Sequence, residues 1–145
     1  MLDEILSIQE IKQKKESILK LEKEMCSPLL TDFSFIPIIY EWFKSYMNEL
    51  NCPINPLSVK HSVKQRKKFI LVILYLFAPA SIVGNKMPNR LRETIANTLG
   101  IEKHSIVSIC CKDLVFSLRY YKDFKRDAEG AFRFIHNKLV ASKII

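Results

Sequence analysis

Three histidines (His61, His104, His136) and four cysteines (Cys26, Cys52, Cys110, Cys111) are the side chains of this 145-residue chain best suited to nucleophilic or metal chemistry. They do not form a productive pattern. The chain has no C-x-x-C and no Cys/His zinc spacing, and no carboxylate sits at the helix spacing typical of a hydrolytic or metal centre. His104 precedes Cys110 and Cys111 by six and seven residues, which places them on one side of a helix, but the cysteines fall on its apolar face. Ser105 has neither an evident base nor an oxyanion loop. Adjacent Cys110 and Cys111 point in different directions on a helix and cannot easily bridge each other. The expectation is a chain without catalysis, metal or cofactor, whose cysteines are buried free thiols of a reducing compartment.

What the chain does carry is charge. The formal net charge is +8, unevenly distributed: −1 over residues 1–30, −2 over 31–56 and +11 over 57–145. From charge alone two readings stand level: a polyanion bound by the C-terminal ninety residues, or a solvated basic surface with no partner. Lys64, Arg66, Lys67 and Lys68 crowd the first turns of an expected helix. Cations there oppose the helix macrodipole, which points to an anionic partner rather than to helix stability. Between Arg119 and Arg126 aromatic and basic residues interleave. Such mixing can stack on single strands, but the favoured reading packs Tyr120 and Phe124 against the last helix and leaves the cations solvated.

Six helices, roughly, must position these groups. Residues 2–26 show a helical apolar period between lysines and glutamates, with Ile11, Ile18 and Met25 seven apart. A second helix runs from about Ser34 to Leu50, with Pro37 in its first turn. Asn51-Cys52-Pro53-Ile54-Asn55-Pro56 reads as a stiff linker, so an acidic two-helix arm (1–56) is expected before a basic domain (57–145). A third helix, capped by Ser58 or Ser62, ends at Phe77 before Pro79. Its apolar run Phe69–Val83 is too short for a bilayer, and a buried core helix is expected instead. Later helices span Pro88 to Leu99, His104 to about Tyr121, and about Asp123 to Leu139. With only three glycines and no alternating strands, the fold class is all-α. No membrane contact and no signal peptide are expected, and a cytoplasmic location follows.

Residues 92–111 match the generic helix-turn-helix pattern at seven positions: Ile95, Ala96, Leu99, Gly100, Ile101, Ile106 and Ile109. The small residue lets two helices approach, the glycine turns the chain with φ > 0, and the apolar set packs the corner. On the helix from His104, residues Ser105, Ser108, Lys112 and Arg119 fall along one stripe. Val107, Cys110, Cys111, Leu114 and Leu118 face inward. A major-groove helix needs such short side chains near base edges and cations where it passes phosphate. Ile106 and Ile109 do not fit one narrow inward face, so either the helix is covered on two sides or Ile106 is exposed toward thymine methyls.

The stretch LGIEKHSIVSICCKDL (99–114) resembles the signature of the C-terminal DNA-binding domain of the bacterial replication initiator DnaA, a Trp-repressor-like helix-turn-helix. Lys103, His104, Ser105 and Val107 fit it, and Lys112-Asp113-Leu114 fits more loosely. Ile106 departs from a hydroxyl position, and Lys103 stands where the initiator often has Asp. The block RKKFILVILYLFAPASIVGNKMPNRLRETIANTLGI also resembles small helix-turn-helix proteins from phages and mobile elements of Bacteroides-type bacteria. The resemblance implies that His104 and Ser105 begin a recognition helix and that a basic segment, here Lys64 to Lys68, meets the DNA backbone. No G-x-x-x-x-G-K-[ST] is present, so the initiator's ATPase module is not expected. The expected function is binding of double-stranded DNA through Lys64, Arg66, Lys67, Lys68, Lys103, His104, Ser105, Ser108, Lys112 and Arg119. Residues 1–56 are expected either to join a homodimer or protein partner or to dock onto the rest of the chain. The alternative is a protein-interaction or structural module of a phage or mobile element that keeps the fold without DNA.

Overall fold

The computed structural model describes residues 1–50 and 59–145, without the side chains of Met25 and of residues 59–62. The expected linker, Cys52, the Ser58 cap and the His61 side chain lie outside the described residues. The chain is all-α. Helices α1 (Leu2–Met25), α2 (Ile36–Glu49), α3 (Val59–Phe77), α4 (Leu91–Leu99), α5 (Ser105–Cys111), α6 (Leu114–Tyr120) and α7 (Lys122–Ala141) are joined by two 3-10 turns, Phe33–Phe35 and Pro79–Val83. No strand occurs among the described residues.

α3 is the axis of the core. From Phe69 to Leu74 every side chain is buried, as are Leu76 and Phe77, because α2, α5, α7 and the second 3-10 turn all pack on it. Burying each such side chain contributes about 1.5–3 kcal/mol, which explains why the second half of this helix can be almost wholly apolar. No described helix is long and apolar enough to cross a membrane. Ala78, outside the helical region at φ −156°, ψ 65° ahead of Pro79, stops the helix. Two of its neighbours then satisfy an orphan carbonyl, since the Leu29 and Leu30 amides both donate to Leu76 O, at 2.9 and 3.0 Å.

The boundary expected at residue 56 lies outside the described residues, and the second helix of the expected arm is packed on the helices that follow it. Ile36, Ile39, Phe43 and Met47 of α2 are fully buried, and α2 packs on α7, α4 and α3. Tyr40 and Phe43 lie 4.8 and 5.4 Å from the Phe69 ring, centroid to centroid. Gly130 lets α2 and α7 close up, because a Cβ there would overlap Tyr46 Oη. The acidic arm is therefore α1 alone, whose described side chains from Leu2 to Glu24 are all exposed.

The expected helix from His104 to Tyr121 is two helices. The Lys112 amide makes a tight bond to Ile109 O, and Asp113 then opens α6 at φ −99°, ψ 0°. The break lets Cys110 face α3 while Leu114 and Ser117 turn inward with α6 against α7 and the second 3-10 turn.

Candidate nucleic-acid interface

α4 and α5 are joined by a left-handed Gly100 (φ +71°), whose amide and that of Ile101 close onto Asn97 O and Ala96 O. This is the glycine-terminated corner that the spacing demands. Ile95, Ala96, Ile101 and Val107 fill it from inside. Lys103, His104 and Ser105 stand exposed at the start of α5, with Ser108 half-buried and Lys112 exposed at its end. Ile106 is half-buried against the core, and it is Ile109, 59% exposed, that offers an aliphatic side chain to the outside.

The four cations of α3 do not act as one patch. Lys68 is buried, its Nζ 2.8 Å from Asp127 Oδ2 of α7. Lys67 donates to Asp113 Oδ2 at 3.2 Å. The cations that seemed to lack a structural purpose thus have intramolecular carboxylates 46 and 59 residues away. Lys68 in particular is withdrawn from any surface site, leaving exposed Lys64 and half-buried Arg66. Arg119 also leaves the expected stripe. It sits on α6 and lines a different groove, between α3, α6 and α7.

A second groove, of about 610 Å³, runs between the loop Ser81–Met87, the first turn of α4, and α5. Its lining includes Lys86, Arg92 and Lys112, the hydroxyls of Ser81 and Ser108, and Asn85, and no carboxylate. None of the three cations is in an ion pair among the described residues. Lys86 and Arg92 were missed at the sequence level, although the run NKMPNRLR shows three cations within seven residues. Pro88 and the left-handed Arg90 (φ +70°) mark that run as a turn.

Burial holds the thiols near this corner in the protonated form. Burial, then the neighbouring Cys110, pushes the Cys111 thiol up to about 11, against a smaller pull from Arg92. Burial also raises Cys110, opposed by Lys67 and Arg66. Both are neutral at physiological pH. Of the aromatic–basic stretch, Phe124 packs inward as expected, but Tyr120 is 62% exposed and stacks on Phe116.

The chain matches no family model, no curated protein and no solved structure.

Proposed function

We propose that this chain binds double-stranded DNA, without catalysis, by laying α5 in the major groove, as a cytoplasmic transcription or replication regulator of a phage or mobile element. The observation that carries the reading is the carboxylate-free groove holding Lys86, Arg92, Lys112 and Ser108 along the side of α5. In this reading those cations hold one stretch of phosphate backbone, with Lys64 and Arg66 available for another. An α-helix with its side chains is about 10–12 Å across, close to the roughly 12 Å width of the groove it would enter. The exposed Lys103, His104, Ser105 and Ile109 supply a cation, short polar groups and one aliphatic side chain toward bases.

A protein-interaction module is the second reading. It is favoured by the exposed ring group in which Phe116 lies 4.6 Å from Tyr120 and 5.9 Å from Tyr121. Anisotropy titration with mixed-sequence duplex separates the two. Micromolar or tighter binding near 50 mM salt, weakened about hundredfold or more near 200 mM, is the result expected of a phosphate-led binder. No binding at the lower salt would favour the interaction module.

A further inference from the structure

Among the solvent-facing apolar surfaces of the described residues, two are complementary in charge. The first is the N-terminal third of α1. Leu2, Ile5 and Leu6 fall at i, i+3 and i+4 and so share one face, each more than half exposed. Residues 1–10 carry Asp3, Glu4 and Glu10 and no Lys or Arg, with Asp3 and Glu10 along one edge of that face. The second is the groove of about 700 Å³ between α3, α6 and α7. Its floor includes Leu71, Val72, Leu118 and Phe132, with Tyr75, half exposed, set edge-on to Phe132 at 4.8 Å. Arg119, Lys125 and Arg133 stand on its lining with one carboxylate, Glu129, which lies 3.8 Å from Arg133.

A helix end that is acidic with one apolar face, as in the first turns of α1, and a cationic apolar groove are the two halves of a helix-in-groove contact. The same molecule cannot join them. α1 is one unbroken helix of 24 residues, about 36 Å long. Its C-terminal end is held near Leu76 of α3 through Leu29 and Leu30, so its first turns stand far from their own groove. We propose that the first turns of α1 dock in the α3–α6–α7 groove of a second copy. Exchanged both ways, the contact is made twice and closes a two-fold dimer. It would also give a purpose to a helix whose described side chains are all exposed, since helices without tertiary packing are of marginal stability in water.

Sedimentation equilibrium on the full chain tests this, and because it uses no DNA its outcome is independent of the DNA-binding reading. Wild type is expected to be dimeric at roughly 100 µM. Two charge-reversed chains, D3K/E4K/E10K in the arm and K125E/R133E in the groove, should each raise the dimer dissociation constant at least about tenfold, with wild-type circular dichroism. Mixed in equal amounts they should reassociate, because each arm now meets a groove of opposite charge. Ile5→Ser with Leu6→Ser, which leaves charge untouched, should also weaken the dimer. A monomeric wild type overturns the proposal. So does a groove variant as dimeric as wild type, which would mean that α1 pairs elsewhere, and so does a mixture that stays monomeric.

Discussion

Replacing Asp127 with alanine is expected to lower the stability of this fold by about 3–5 kcal/mol, the largest effect of any single substitution considered. Asp127 Oδ2 accepts from Lys68 Nζ at 2.8 Å, and both side chains are only 9% exposed. Its other oxygen faces Arg126 Nε at 3.5 Å. Removing the carboxylate leaves an ammonium group enclosed between α3 and α7, the two helices that define the core. Against a total stability of about 5–15 kcal/mol, that loss is a large share. A well-packed apolar replacement of both partners, Lys68→Met with Asp127→Leu, should recover most of it, because no charge is then left buried. Urea unfolding followed by circular dichroism measures both. A loss below about 1 kcal/mol for the single variant would place the pair in the weak class of solvent-screened surface bridges.

The second large effect belongs to binding. Changing Lys86, Arg92 and Lys112 together to alanine is expected to weaken duplex binding by about hundredfold or more near 100 mM salt, and to reduce the slope of log K against log salt by about 3. The loss should be nearly the same on all sequences, since phosphate contacts carry no sequence information. Lys67→Ala serves as the contrast, because Lys67 is already engaged by Asp113. It should change the slope by less than about 1. Equal effects from the triple variant and from Lys67→Ala, measured by anisotropy over a salt series, would break the assignment of the groove.

Local signals in the sequence were enough for the all-α class, for most of the helices and for the corner between α4 and α5. Gly100 supplies the left-handed turn and Pro79 the stop after α3. The run from Phe69 supplies a helix that only a surrounding core could tolerate. Long-range facts were not legible. Lys68 looks like one more exposed cation until α7 brings Asp127 to it. α2 looks like part of an arm until α4 and α7 cover its apolar arc. The break at Lys112 is hidden because the apolar residues continue through it, and only packing decides that Cys110 and Leu114 belong to different helices. The groove beside α5 was hidden for a similar reason: its cations come from a loop, the first turn of α4 and the end of α5, which adjoin only in the fold.

The most direct test of the proposed function is to titrate duplex DNA into the ¹⁵N-labelled chain and follow its amide resonances. The account predicts that the largest shifts fall on Lys103 to Lys112 and on the loop from Ser81 to Met87, and that they shrink as salt is raised. Shifts confined to α6 and α7 around Phe116, Tyr120 and Tyr121, or no shifts at all, would contradict it.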